Sequence, residues 1–222
     1  MGDLFNVSNP QSGLAFPASL TEEFRPRVLA DFVGLEKPKK ILANLLKSPR
    51  PCALLFCGPP GCGKTSISLA FASELNAELH HVGSQECRLD VLQNICAMCQ
   101  RVAFNFKTGK PARYHVVLVD EADVMSDAAQ KYLLSKLDAT GTCPDTIWIF
   151  TCNATDRLEE RFLSRTLRLD FNSYGSSQEI TDLLAKIWTL KAPSAPVPNL
   201  KKLACGNVRE SLQRLELELL AV

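Results

Sequence analysis

A glycine-rich segment directly after a short apolar run is the feature that most constrains how this chain can fold. The apolar run covers residues 52–57 (CALLFC), the segment covers residues 58–65 (GPPGCGKT), and a helical pattern begins at Ser66. A strand that enters a glycine-rich turn and then a helix points backbone N–H groups and the helix dipole at one spot. The segment therefore predicts a phosphate-binding loop within an α/β fold.

Each residue type in this loop suits a polyphosphate bound with Mg²⁺. The glycines allow close approach of the backbone, Lys64 would reach the β- and γ-phosphates, and the Thr65 hydroxyl would bind the Mg²⁺ between them. A glycine turn without a ligand is the alternative, and the strand and helix on either side disfavour it. The predicted cofactor-binding residues of the loop are Gly58, Pro59, Pro60, Gly61, Cys62, Gly63, Lys64, Thr65 and Ser66.

Polar residues also follow two later apolar runs. Residues 115–119 (HVVLV) read as a buried parallel strand that ends at Asp120 and Glu121, and Asn153 follows the run 146–151 (TIWIFT). Because the tips of parallel strands face the ligand crevice, Asp120 is expected in the Mg²⁺ shell and Glu121 beside the attacking water. Asn153 is expected to orient that water. A solvated acidic turn and an ordinary turn asparagine are the alternatives.

Strands and helices alternate along most of the chain, which predicts a parallel sheet covered by helices on both faces. The strands stop near residue 176, and two amphipathic helices follow around a proline-rich stretch. We therefore expect a flexible arm over 1–22, a nucleotide-binding α/β domain over 23–175 and a small helical lid over 176–222. No run approaches the eighteen or so apolar residues that span a bilayer, so no membrane contact and a cytoplasmic location are expected.

The nine cysteines lie mostly in apolar runs, as free thiols do in a reducing compartment. Cys87, Cys96 and Cys99 form a C-x8-C-x2-C spacing, for which a zinc site with His80 or His81 is one interpretation. The other is a core helix, because Leu89, Leu92, Ile95, Cys96 and Cys99 share one apolar face at helical spacing. The helical pattern favours the second interpretation.

The order of these pieces resembles the AAA+ ATPases of the clamp-loader clade, the replication factor C small subunits. The resemblance runs from about Phe24 to Leu220 and rests on FRP at 24–26, DFVG at 31–34, the loop, CRLDV at 87–91, VDEAD at 119–123, AQ at 129–130, TCN at 151–153, LSRT at 163–166 and GNVR at 206–209. Such a likeness implies ATP and Mg²⁺ as cofactors and ATP hydrolysis as the activity. It also implies a homo- or hetero-oligomer with ATP at the subunit interfaces.

Several residue roles follow from the resemblance alone. Asn153 matches the family's sensor 1, Arg165 its arginine finger toward a neighbouring subunit, and Arg209 its sensor 2 on the lid. The adenine side is implied to involve Arg25, Pro26 and Val33. In three respects the chain departs from the family. Thr166 stands where the finger motif usually has cysteine, and the lid is short, with Ala192 to Leu203 in place of a longer helical insert. The sequence also stops without the collar domain, as expected of a short form.

Nucleic-acid contacts are predicted from local charge, since the formal net charge is only +1. Arg88 matches a position through which the resembled family tracks DNA. Residues 101–115 contain no acidic residue and carry four basic ones, namely Arg101, Lys107, Lys110 and Arg113. Such runs are also typical of solvated faces, which is the alternative. Contacts of this kind would be salt-sensitive and independent of base sequence.

The sequence as a whole therefore predicts a DNA clamp-loader-like ATPase module that couples ATP turnover between subunits to action on DNA or on a DNA-bound protein such as a clamp. A branch-migration or helicase-loading motor would share every nucleotide motif. A non-hydrolysing ATP switch in a partner complex is the alternative from another class, and it could dispense with Glu121.

Overall fold

The apolar runs of the sequence form the strands of one parallel sheet. In the computed structural model, which describes residues 18–138, 143–171 and 177–221, the sheet has five strands in the order β2-β5-β6-β1-β7. A two-residue antiparallel pair, β3 with β4, lies outside it. The strands are β1 (Cys52–Cys57), β2 (Glu78–Val82), β3 (Phe104–Asn105), β4 (Lys110–Pro111), β5 (His115–Val119), β6 (Thr146–Cys152) and β7 (Leu167–Asp170).

Helices connect these strands and follow them. They are α1 (Leu20–Glu23), α2 (Glu36–Lys47), α3 (Lys64–Glu74), α4 (Leu89–Met98), α5 (Asp127–Leu137), α6 (Glu160–Leu163), α7 (Ser177–Lys191), α8 (Leu200–Leu203) and α9 (Val208–Leu220). Single 3-10 turns cover Leu29–Asp31, Ser84–Glu86 and Ala122–Val124. The alternation of strand and helix confirms the predicted α/β class.

Both faces of the sheet are buried, because alternate residues of each strand pack into different cores. Leu55 and Phe150 belong to the core under α4 and α5, whereas Leu54 and Ile149 belong to the core under α2 and α3. All four are at most 1% exposed. Burying each such side chain contributes roughly 1.5–3 kcal/mol, so the central strands are held firmly and give the site a fixed base.

A third core joins the C-terminal helices to the start of the described chain. Leu20 of α1 packs with Leu184 and Trp188 of α7 and with Leu215 of α9. The predicted arm, 1–22, lies largely outside the described residues, but its last residues differ from the prediction. Residues 20–22 are helical and belong to this small cluster, because Leu20 is buried there.

The sequence prediction also lacked five elements: the strands β3, β4 and β7 and the single-turn helices α6 and α8. Residue 175, where we placed the domain boundary, lies outside the described residues, as do 172–176 as a whole. Among the residues that the structure describes, none of the helices combines the length and the apolar character that crossing a bilayer requires.

Candidate nucleotide-binding site

The predicted phosphate loop connects β1 to α3. Gly61 and Gly63 have φ values of +79° and +88°, a left-handed region in which glycine carries no steric cost. At Gly58 a Cβ atom would lie 2.8 Å from the Cβ of Phe171. The loop backbone thus takes a course that side chains at these positions would obstruct.

Lys64 is buried at the base of the loop and reaches the tip of a neighbouring strand. Its ammonium donates to the carbonyl oxygens of Gly58 at 2.6 Å and Pro59 at 2.9 Å, and to Oδ1 of Asn153 at 3.1 Å. Strands β5 and β6 pair in parallel, so the tips that carry Asp120 and Asn153 are neighbours. One cation therefore lies between the loop and the residue matched to sensor 1.

Thr65 and Asp120 link the loop to the acidic strand tip. The Thr65 hydroxyl donates to Oδ1 of Asp120 at 2.9 Å. A hydroxyl and a carboxylate at this spacing are hard oxygen ligands of the type that Mg²⁺ prefers. The residues present therefore fit a Mg²⁺ shell, and their role as its ligands stays a prediction.

His81 makes the second contact of the Asp120 carboxylate. Its Nε2 lies 2.8 Å from Oδ2 of Asp120, and this hydrogen bond raises the pKa of His81 above its ordinary value. Burial alone would raise the pKa of Asp120, but hydrogen bonds from His81, Thr65 and Thr151 outweigh it and hold that pKa below its usual range. Asp120 is therefore an anion at neutral pH.

A single buried hydroxyl positions both carboxylates of the acidic tip. Thr151, 2% exposed, donates to Oδ1 of Asp120 at 3.0 Å and accepts from the backbone N–H of Glu121 at 3.0 Å. Glu121 has a left-handed backbone, with φ of +52°, and its side chain is exposed. Thr151 thus fixes the point from which the Glu121 carboxylate projects.

A cavity beside the loop gathers the residues that the resemblance assigned to the adenine side and the lid. Arg25, Pro26, Val33 and Arg209 line it together with four loop residues, Gly61, Cys62, Gly63 and Ser66. Arg25 also forms an exposed ion pair with Glu22 at 2.6 Å. Segments 183 residues apart in sequence, counted from 26 to 209, therefore meet at one cavity.

Asn207 connects the lid directly to the loop. Its Nδ2 donates to the Pro60 carbonyl at 3.1 Å, while its Oδ1 accepts from the backbone N–H of Glu210 at 3.3 Å and caps α9. We call this side chain the cap amide. It makes contact with both the nucleotide loop and the helix that carries Arg209.

Arg165 makes its polar contacts away from this assembly. Its Nε donates to Oδ1 of Asp138, at the end of α5, at 2.6 Å, and its Nη1 donates to the Arg161 carbonyl at 2.9 Å. Both side chains of the ion pair are partly exposed. The structure therefore holds Arg165 on the surface, on the segment that follows α6.

The candidate nucleic-acid residues fall into two groups. Arg88 is the N-cap of α4, whereas Arg101, Lys107, Lys110 and Arg113 follow the other end of that helix. Ten residues of α-helix span about 15 Å, so the groups are not brought together. All five side chains are exposed, and Arg113 also lies over the Tyr114 ring at 5.3 Å.

Sequence reasoning missed three residues of this site. It gave Thr151 no role, considered His81 only as a zinc ligand, and did not single out Asn207. A hydroxyl within an apolar run was the available signal for Thr151, and an asparagine three residues before Glu210 is typical of a helix N-cap. Nothing in the sequence pointed His81 toward Asp120, since their contact depends on the pairing of β2 with β5.

Comparisons with known proteins agree with this geometry. The profile of the ATPase family associated with various cellular activities (AAA) matches residues 54–174. The replication factor C small subunit of Methanocella arvoryzae is 30% identical over 205 residues, which are 88% of this chain and 62% of that protein. Replication factor C subunit 2 of Arabidopsis thaliana is 29% identical over 217 residues, 94% of this chain and 64% of that protein. The chain thus spans somewhat less than two thirds of the length of these relatives, and it resembles them over most of its own length.

A solved structure shares the fold. The Holliday junction branch migration motor RuvB of Thermotoga maritima superposes with a TM-score of 0.67 at 20% identity, over 86% of this chain and 63% of that one. At this identity the likeness shows a common architecture and carries no statement about activity.

Proposed function

Because the chain belongs to the ATPase family associated with various cellular activities, with a replication factor C-like sequence, we propose that it binds ATP with Mg²⁺ at the loop and hydrolyses it. One observation carries the proposal: the Thr65 hydroxyl lies 2.9 Å from Asp120, which links the loop to the acidic tip. In the proposal Thr65 and Asp120 would hold the Mg²⁺, which would supply positive charge against the phosphate oxygens.

The chain's own residues divide the remaining work. Lys64 supplies positive charge for the β- and γ-phosphates, and Asn153, 3.1 Å from the Lys64 ammonium, orients the attacking water. The Glu121 carboxylate accepts a proton from that water. The water oxygen bonds to the γ-phosphorus as the bond between that phosphorus and ADP breaks. The cap amide contacts the loop and Arg209 lines the cavity beside it, so these two residues connect the bound nucleotide to helix α9 of the lid.

Two variants separate binding from turnover. Lys64→Ala should lose ATP binding, because it removes the charge that faces the phosphates, while Glu121→Gln should retain binding and lose hydrolysis. Binding is measured by isothermal titration with Mg·ATP and turnover by phosphate release. Lys186→Ala, an exposed lysine of α7, is the control. Equal ATP affinity in wild type and Lys64→Ala would rule out this site, and full turnover by Glu121→Gln would favour another base.

We further propose that ATP lies between subunits and that Arg165 acts on the ATP of a neighbour. Two observations support a role of Arg165 at an interface. Its side chain is partly exposed, and its ion pair with Asp138 is a surface ion pair, which contributes about 0–1 kcal/mol to stability. A neighbour's phosphate can therefore outcompete Asp138 at little cost.

Action on DNA, or on a DNA-bound protein such as a clamp, is the last part of the proposal. It is supported by the exposed Arg88 and by the exposed basic side chains between residues 101 and 113. Primed DNA should stimulate ATP hydrolysis at low salt, and the stimulation should fall steeply as salt rises because phosphate contacts release counterions. Arg88→Glu and Lys110→Glu should each reduce it, with Lys186→Glu as control. ATP hydrolysis that no form of DNA alters at low salt would instead point to a protein client.

A further inference from the structure

A second cluster of ligand-type side chains lies at the opposite end of the sheet from the nucleotide loop. His80 is in β2, His115 begins β5, and Cys99 ends α4. They are 9%, 2% and 1% exposed, and their ligand atoms all lie within 4.8 Å of one another. None of them takes part in the proposed ATP chemistry, so the cluster needs an explanation of its own.

The spacing of the two imidazole rings suits a shared metal ion. His80 Nε2 lies 3.1 Å from His115 Nδ1. Two nitrogen ligands about 2.0–2.1 Å from a tetrahedral ion lie about 3.3–3.4 Å apart, so an ion requires only a small adjustment of the rings.

The tautomer of His115 is fixed by its other ring nitrogen. His115 Nε2 lies 2.9 Å from the Arg101 carbonyl oxygen, which can only accept a hydrogen bond. The proton is therefore on Nε2, and the Nδ1 lone pair points toward His80. Metal-binding histidines commonly donate their second N–H to a backbone carbonyl in this way.

Glu78 supplies a carboxylate next to both rings. Its Oε1 lies 3.9 Å from His80 Nε2, and its Oε2 lies 3.5 Å from His115 Nδ1. Oε2 is itself oriented by the backbone N–H of Phe104 at 2.7 Å. The side chain is 15% exposed, so Glu78 is the member of this group that reaches solvent most.

We propose that His80, Cys99 and His115 hold a structural zinc ion that ties the end of α4 to strands β2 and β5, with Glu78, next to both rings, turning inward as the fourth ligand. A thiolate, two imidazoles and a carboxylate are ligands that zinc accepts in a four-coordinate site. This ligand set differs from the cysteine set considered in the sequence. Cys96 lies near Cys143 and Tyr132 instead, and of that spacing only Cys99 belongs to the cluster with the histidines.

Metal content and cobalt spectroscopy test the site in the full chain. Wild type exchanged into buffer with micromolar zinc and then passed over a chelating resin should retain one zinc per chain. Replacement by Co²⁺ should give a thiolate-to-cobalt charge-transfer band. Cys99→Ala should retain less than a tenth of the zinc and lose the band, while Cys96→Ala, a buried thiol on the same helix, should behave as wild type.

Glu78→Gln guards against a folding defect in the cysteine variant. It should fold, bind Mg·ATP as wild type does, and hold zinc at least tenfold more weakly, because a neutral amide replaces the carboxylate. Zinc should raise the melting temperature of wild type and not that of Cys99→Ala. Folded wild type that retains no zinc would overturn the proposal, as would stoichiometric zinc with an unchanged cobalt spectrum in Cys99→Ala.

Discussion

Thr151→Val is the substitution that most directly tests how the acidic tip is built. It preserves the shape of the side chain and removes a hydroxyl that bonds both Asp120 and the Glu121 N–H. A neutral hydrogen bond contributes about 1 kcal/mol and one to an ionised group about 1.5–3 kcal/mol. Because Asp120 keeps its contacts with Thr65 and His81, we expect a loss of about 2–3 kcal/mol in the free energy of unfolding.

The same strand offers a matched control. Thr146 is also 2% exposed, but its hydroxyl donates to the carbonyl of Pro144, an exposed residue, and its other polar neighbour is the neutral thiol of Cys99. Thr146→Val should therefore lose only about 1 kcal/mol. The two threonines lie about 17 Å apart along β6, so only Thr151→Val should disturb the nucleotide site.

Urea unfolding without nucleotide, followed by tryptophan fluorescence, measures both losses, since Trp148 lies in the sheet core and Trp188 in the lid core. Thr151→Val should also slow ATP hydrolysis by at least tenfold with little change in ATP affinity, because the Glu121 carboxylate loses its fixed origin. Equal stability and equal turnover in the two valine variants would refute the role assigned to Thr151.

Three further predictions concern the loop, the interface and pH. Arg165→Ala and Lys64→Ala subunits should each be nearly inactive, and Arg165→Ala should lower the rate of ATP hydrolysis by roughly 10³–10⁵. A mixture of the two should nevertheless hydrolyse ATP much faster than the sum of their separate rates. If subunits that are shown to assemble give only that sum, Arg165 does not act on a neighbouring subunit. Gly61→Ala should weaken ATP binding at least tenfold, because an added Cβ would lie 2.6 Å from the cap amide oxygen. Gly109, with φ of +66° and open space around it, is the control, and Gly109→Ala should leave ATP binding unchanged. Equal ATP affinity in the two variants would refute the claim that the loop needs glycine at position 61. Because the pKa of His81 is raised in the folded protein, His81 stabilises the fold fully below its ordinary pKa of 6.5, and this contribution is lost as pH rises through the folded pKa. The difference in melting temperature between wild type and His81→Gln should therefore be larger at pH 6 than at pH 9. An equal difference at the two pH values would contradict this role of His81.

The sequence predicted those parts of the molecule whose signals are local. The glycine loop and the apolar runs of β1, β5 and β6 each carry their information within a few residues, so their places in the fold were predictable. Strand β7 was missed because Leu167–Asp170 is short and mostly exposed, so it lacks the apolar run of a central strand. The sequence also suggested a helix over the cysteine spacing, and α4 confirms it.

Contacts between distant segments were the part that the sequence could not supply. His80 and His115 are 35 residues apart and meet because β2 pairs with β5. The contact of His81 with Asp120 arises from the same pairing. Strand order fixes such meetings, and a local pattern of residue types does not say which strands become neighbours.

The cap amide attaches the first turn of α9 to the nucleotide loop, so a change in the loop backbone can tilt this helix. The helix has 13 residues and is therefore about 20 Å long, with its first turn fastened to Pro60 and its far end at the exposed Leu220. A tilt of α9 by about 10° about its contact with Pro60 would displace the far end of the helix by about 3.5 Å. Because Leu212 and Leu215 of α9 pack with Leu184 of α7 in the third core, such a tilt would carry α7 along with α9.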